Sequence, residues 1–365
     1  LARYARTPEL GPKVLFFSGG SALAASSRRL IDYTHNSIHL ITPFDSGGSS
    51  AVLRNAFGMP AVGDIRNRLM ALADQSVKGA HDIYTLFAHR LSVDASPEAL
   101  RTRLDEMIEG VDPLVAAVSD PMRKIIRNHL RMFRDEAPDS FSLAGASVGN
   151  LIMTGGFLNH GRHLDPVVYL FAKLVESRGV VRPVVNADLS LAAINVDGAI
   201  TVGQHLITGG EAGVIADVFL TDVPDGSRYV SAPIRKKIRQ LIAEAELICF
   251  PMGSFYTSVV ASLLPEGIAE AVAGNDCPKV YIPNTGHDPE QAGKTLTELV
   301  AALNEKIGGR LDFVLVDDAT APYPGGVDRA ALARQGVETV DLRLVGDDPP
   351  MIDPDRLVTT LLSLV

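Results

Sequence analysis

Lys13-Val-Leu-Phe-Phe17, then Ser18-Gly19-Gly20-Ser21, a helix-compatible stretch from Ala22 to Ile31, and Ile38-His-Leu-Ile-Thr42 decide the fold class of this chain. A short apolar run, a glycine-rich turn, a helix and a second apolar run are the opening of a parallel α/β sheet. Further candidate strands lie at Leu247–Phe250, Lys279–Pro283, Asp312–Asp317 and Val337–Leu342, mostly separated by helical patterns. Between Ala192 and Gln204 the residues alternate around Asp197-Gly198, a strong short-range signal for a hairpin. The expectation is an α/β, mostly parallel sheet carrying an antiparallel hairpin.

Residues 77–139 break the strand pattern with helical periods. Ser96-Pro97 opens one helix with apolar residues at Leu100, Leu104, Met107 and Ile108, and Asp120-Pro121 opens another with Met122, Ile125, Ile126, Leu130 and Phe133. This predicts a helical insertion at 77–139, with 1–76 and 140–365 as the two parts of the sheet domain. Arg123, Arg127, Arg131 and Arg134 fall on the opposite face of the second helix, as a solvated face or a phosphate or partner contact.

The composition narrows the function classes. At about 150 residues per domain, 365 residues allow two or three domains or one large one. With 46% hydrophobic and 21% charged residues, the chain is neither disordered nor fibrous. A net charge of -9 argues against a sequence-blind grip on nucleic acid. Phe141–Leu158 and Leu247–Pro265 carry no charge, yet glycines, Asn150, Pro251 and hydroxyls interrupt both. They read as buried strand-turn-helix segments, so no membrane partner is expected. The basic start lacks an apolar run, no signal peptide is expected, and the two cysteines, Cys249 and Cys277, fit a reduced, cytoplasmic compartment.

Four glycine- and serine-rich turns carry the candidate chemistry: Ser18-Gly19-Gly20-Ser21, Asp45-Ser46-Gly47-Gly48-Ser49-Ser50, Gly145-Ala-Ser147-Val-Gly149-Asn150 and Pro251-Met-Gly253-Ser254-Phe-Tyr256-Thr257-Ser258. Main-chain N–H groups at a helix start, with glycine permitting close approach, suit a phosphate. None of the turns matches a dinucleotide or Walker pattern. Asp45 and Asp64 are the nearest carboxylates. Asp64 in Gly63-Asp64-Ile65-Arg66-Asn67 reads either as an N-cap or, with Asp45, as a Mg²⁺ ligand, with Arg66 offsetting phosphate charge. Gly145-x-Ser147-x-Gly149 also matches the nucleophile elbow of serine hydrolases, for which Asp222 or Asp225 and then His287 stand downstream. His160 and His163 read as an exposed turn rather than a metal pair.

Taken in order, these motifs resemble the CofD-like superfamily, which includes YvcK-type proteins and 2-phospho-L-lactate transferases. Val202-Gly203-Gln204-x-x-Ile207 belongs to the same series, and Gly47-Gly48-Ser49-Ser50, Gly63-Asp64-Ile65-Arg66-Asn67 and Ser254-x-Tyr256-Thr257-Ser258 are nearest the YvcK branch. The resemblance implies a Rossmann-like sheet and a site for a nucleotide diphosphate or nucleotide-sugar, with a role in metabolic regulation. Its transferase relatives move a phospholactyl group from a nucleotide-diphosphate donor with a divalent metal. Ligand contacts are expected at Gly19, Gly20, Ser21, Asp45, Gly47, Gly48, Ser49, Ser50, Asp64, Arg66, Asn67, Ser147, Asn150, Gly253, Ser254, Tyr256 and Thr257, of which the likeness itself implies Asp45, Asp64, Gly253, Ser254 and Thr257. Mg²⁺ would sit at Asp45 and Asp64, with no covalently bound cofactor, and self-association as a homo-oligomer is left open. Ser46 stands where relatives often carry a second acid, and residues 312–365 hold no motif of the series.

Overall fold

The computed structural model describes residues 1–76 and 79–365, and the chain forms two compact units. The sheet unit comprises Leu1–Phe44, Arg178–Val185 and Leu189–Val365, and the helical unit Asp45–Ser177 with Asn186–Asp188. The helical unit is thus wider than 77–139, and the expected start of the insertion at Val77 lies outside the described residues.

In the sheet unit the strands are β1 Val14–Ser18, β2 Ile38–Ile41, β3 Val180–Pro183, β4 Ser190–Asn195, β5 Ile200–Val202, β6 Ile215–Thr221, β7 Leu247–Phe250, β8 Lys279–Tyr281, β9 Phe313–Val316 and β10 Glu338–Asp341. Seven of them form one sheet in the order β10-β9-β8-β7-β1-β2-β3, all pairs parallel. β1, β2 and β7 are buried along their whole length, which is why they read as continuous apolar runs rather than alternating ones. Leu15 stands opposite Ile38 and Ile248, so β1 is the central strand of the first motif. The Asp197-Gly198 hairpin is present as β4 and β5, and β6 extends it to a three-stranded antiparallel sheet in the order β5-β4-β6.

One face of the large sheet buries Val14, Phe16, Leu247, Cys249, Val280 and Ile282 against Leu30 of helix α1, Ala24–Leu30, and its N-cap Leu23. The C-terminal helix Pro354–Ser363, capped by Asp353 accepting from the amides of Asp355 and Arg356, adds Leu357, Val358, Leu361 and Leu362 to this core. The motif-free tail is therefore structural here, in keeping with the apolar period of its last residues.

The helical unit contains α2 Gly48–Phe57, α3 Gly63–Ala71, α4 His81–Ala88, α5 Pro97–Glu109, α6 Met122–Glu136, α7 Val148–Asn159 and α8 Leu164–Leu174. The Ser96 hydroxyl accepts from the Ala99 amide with Pro97 in the first turn, the start expected from the sequence. α7 is buried on nearly every side and packs against α6, α4, α8 and α3. A helix apolar all round belongs in a core, which accounts for the charge-free stretch at Phe141–Leu158. The strand expected at its start is absent: residues 141–147 hold only an isolated bridge between Arg90 and Ser147. No described helix is long and apolar enough to cross a membrane.

Candidate functional site

Within the helical unit the N-termini of α2, α3 and α7 meet. After Asp45 the main chain turns back on the carboxylate, whose Oδ1 accepts from the Gly47 amide at 2.9 Å. Arg54 of α2 pins this turn by donating to the Asp45 carbonyl at 3.3 Å while pairing with Asp188 at 2.8 Å. Gly47 is the N-cap of α2, which brings Ser49 and Ser50 into its first turn.

Gly63 opens α3 in direct contact with this turn. A Cβ there would lie 2.6 Å from Ser50 Oγ, 3.8 Å from Asp45 Oδ2 and 4.0 Å from Asn150 Nδ2, so only glycine lets the helix start approach so closely. Asn150, in the first turn of α7, donates from Nδ2 to Ser49 Oγ at 3.2 Å. Each helix start carries partial positive charge from its unsatisfied N–H groups; two of the three are joined by the Asn150–Ser49 bond and the third packs against them at Gly63, an arrangement suited to an anion.

Arg66 adds a full charge. It is 7% exposed, and its guanidinium donates to Ser147 Oγ, to the Phe87 carbonyl at 3.4 Å and to Asn67 Oδ1 at 2.6 Å. Burial, with the nearby Arg90 as a smaller contribution, lowers it from 12.5 to about 10, partly offset by Asp64. Burial thus leaves Arg66 charged, bonded to neutral acceptors, with Nε unpartnered. Asn67 orients this guanidinium.

Two sequence readings change here. Ser147 is the N-cap of α7: it is fully buried, and its hydroxyl accepts from the Asn150 amide and from Arg66. Neither partner can take its proton and no strand precedes it, so the nucleophile-elbow alternative falls. Asp64 is not a cap either. The N-cap of α3 is Val62, and Asp64 sits inside the first turn, where its charge meets the helix dipole.

The residues fit a hard divalent cation in part. Asn150 is 1% exposed and its Oδ1 has no partner, while Asp45 Oδ2 and Ser50 Oγ flank the same glycine. These are oxygen donors of the kind Mg²⁺ takes. Among the described residues no group of three or more His, Cys, Asp or Glu gathers to hold a metal, so an ion here would need oxygens from a ligand and water to complete its shell.

The sheet unit carries the other two turns. β1 lies between β2 and β7, so the chain reverses its direction of sheet growth between β1 and β7, the position where open α/β sheets bind ligands. The turns after these two strands touch: a Cβ on Gly19 would lie 2.8 Å from Ser258 Oγ, and one on Gly253 would lie 3.8 Å from the Ala22 Cβ. Beside them is a cavity of about 360 Å³ that includes Ala22, Met252, Gly253, Ser254, Asn284 and Asp288 in its lining.

The amides of the second turn are already occupied. Gly253 N–H donates to Asn284 Oδ1 at 2.8 Å, Phe255 N–H to Asp288 Oδ2 at 3.0 Å, and the Tyr256 and Thr257 amides to Glu290 Oε2 at 2.8 and 2.9 Å. The Thr257 and Thr208 hydroxyls both donate to Glu290 Oε1. Tyr256 and Thr257 are buried and shape the turn from inside. Burial pushes the carboxyls of Asp288 and Glu290 above the usual carboxylate range, against the hydrogen bonds that favour their charge. Asn284, Asp288 and Glu290 escaped the sequence reading; their signal is a polar run directly after the apolar strand β8.

A sequence profile described as 2-phospho-L-lactate transferase CofD matches residues 14–345. The gluconeogenesis factor of Bacillus subtilis is 31% identical over 85% of this chain and 80% of its own length. The gluconeogenesis factor of Halalkalibacterium halodurans is 28% identical over 90% of this chain and 88% of its own. A crystal structure of a UPF0052-family protein from Bacillus halodurans aligns with a TM-score of 0.73 at 25% identity, covering 96% of this chain and 99% of that one. The match over nearly the whole sheet-and-helix architecture places the chain in the CofD family, on the side of the YvcK-type gluconeogenesis factors.

Proposed function

We propose that this protein binds a nucleoside diphosphate, in the form of a nucleotide-sugar, and serves as a ligand-responsive regulator of metabolism. The observation that carries the reading is the meeting of three helix N-termini around Ser49, Ser50, Gly63 and Asn150, with the buried charge of Arg66 beside them. Such an arrangement offers a diphosphate aligned dipoles and little reorganisation on binding. Asp45 and Asp64 would hold Mg²⁺ together with diphosphate oxygens, and the ion would offset phosphate charge. The names of the relatives as gluconeogenesis factors support a metabolic role.

The test is titration calorimetry with UDP, UDP-sugars, GDP and pyrophosphate, with and without Mg²⁺. Asn150→Ala removes one hydrogen-bond donor and one orphaned acceptor, and is expected to weaken binding at least tenfold while leaving the circular dichroism spectrum unchanged. Equal affinity of parent and variant for every compound would overturn the reading.

A CofD-type transferase, moving a phospholactyl-like group from a nucleotide-diphosphate donor to an acceptor, is the second reading, favoured by the oxygen donors at Asp45 and Asn150. Asp45→Asn separates the two. In a transferase it depresses turnover far more than ground-state affinity, whereas in a binding protein affinity is all that changes.

A further inference from the structure

A cavity of about 200 Å³ opens in the helical unit between α5, α6 and the segment that follows α6. That segment is shaped by its sequence. Pro138 stops the helix: Ala137 before it is extended, and the Ala137 amide closes on the Phe133 carbonyl at 2.9 Å. The chain then turns, with the Phe141 amide donating to the Pro138 carbonyl at 2.8 Å, and Phe141 comes back onto Phe133. The two rings meet edge to face at 5.3 Å, and Phe57 at the end of α2 stands 5.5 and 6.0 Å from them. Phe133, Phe141 and the buried Leu104 and Leu143 form the apolar lining of the cavity.

The lining also contains four charged residues, Arg101, Asp105, Arg134 and Asp139. Two of them satisfy each other, for Arg134 donates to Asp105 Oδ1 at 2.9 Å and also to Asp135 Oδ1 at 2.8 Å. The other two are held together without being paired. Arg101 Nη2 donates to the main-chain carbonyl of Asp139 at 3.0 Å, which sets both residues on one rim, and among the described residues neither side-chain charge has an ion-pair partner. An apolar cavity of about 150 Å³ accepts a benzene ring. This one therefore has room for a single ring and a short stem. Guanidinium groups suit carboxylates, and carboxylates suit ammonium groups, so an unpaired cation and an unpaired anion on one rim match a zwitterion.

We infer that this cavity binds a free amino acid with an aromatic side chain, its ring packed on Phe133 and Phe141, its α-carboxylate on Arg101 and its α-ammonium on Asp139. The site shares no lining residue with the three helix starts of the anion site, so it stands apart from the diphosphate reading. It gives the protein a second small-molecule ligand of a different chemical class.

The test uses the full chain and two variants at exposed positions, Arg101→Gln and Asp139→Asn. L-phenylalanine, phenylpropanoate, phenethylamine and N-acetylphenylalanine amide are titrated into each by calorimetry. The parent is expected to bind L-phenylalanine more tightly than the other three. Arg101→Gln should lose about fivefold in affinity for L-phenylalanine and phenylpropanoate, the size of an ion pair at an exposed rim, and leave phenethylamine unchanged. Asp139→Asn should do the converse, weakening L-phenylalanine and phenethylamine only. Absence of L-phenylalanine binding to the parent, or equal affinity in the parent and both variants, overturns the inference. Binding of the uncharged amide as tightly as L-phenylalanine also overturns it, since that marks a seat for an aromatic side chain of a partner protein.

Discussion

Arg66 is a buried cation whose bonded partners are a hydroxyl, a carbonyl and an amide oxygen, an expensive arrangement for a stability role alone. Its cost is consistent with a site kept positive for an incoming anion. Ser147 is the residue that holds it and also caps α7. Ser147→Ala therefore removes a cap and leaves Arg66 short of an acceptor, and is expected to lower stability by about 2 kcal/mol in urea unfolding. The parent should show no esterase activity and no fluorophosphonate label at Ser147, since nothing bonded to that hydroxyl is a base. Labelling at Ser147 would restore the hydrolase reading.

At the scale of elements, α6 and α7 cross in close contact at two glycines. A Cβ on Gly155 would lie 1.8 Å from the His129 carbonyl oxygen, and one on Gly156 3.0 Å from its ring. His129 is buried in that crossing beside His160. Burial first, and the neighbouring His160 second, lower its pKa from 6.5 to about 4, so the fold holds the neutral ring. A histidine with a depressed pKa in the fold stabilises it fully above its unfolded value of about 6.5, and that contribution is lost as the pH falls toward about 4. The loss amounts to at most about 3 kcal/mol by proton linkage. His129→Gln is expected to flatten the pH dependence of unfolding free energy between those limits; an unchanged slope would show that His129 does not carry it. The same crossing explains why Gly155 and Gly156 interrupt an otherwise apolar helix.

For the whole molecule, binding that is confined to the native state must appear as stability. A nucleotide diphosphate at about 100 times its dissociation constant should add about 2.7 kcal/mol, a rise of roughly 3–4 °C in Tm for a chain of this length. Because the described metal donors are few, Mg²⁺ alone should leave Tm nearly unchanged and act only with the diphosphate present; a large shift with Mg²⁺ alone would refute that coupling. Sequence by itself determined the parallel sheet, since β1, β2 and β7 are apolar runs buried along their whole length, and the Asp197-Gly198 hairpin, since its turn chemistry is local. It also singled out Ser49, Ser50, Asp64, Arg66 and Asn150, because glycine- and serine-rich helix starts are legible as short motifs. β3, with Arg182 and Pro183, was illegible because an edge strand is under little pressure to be apolar. Only the tertiary structure decided that Ser147 is a cap, that Asp288 and Glu290 occupy the amides of the 253–257 turn, and that residues 350–352 wall a cavity. The last two depend on contacts between segments tens of residues or more apart in the chain, a distance that no local pattern of residue types encodes; the Ser147 cap is a local bond to the Asn150 amide, and what the structure added is its burial against Arg66.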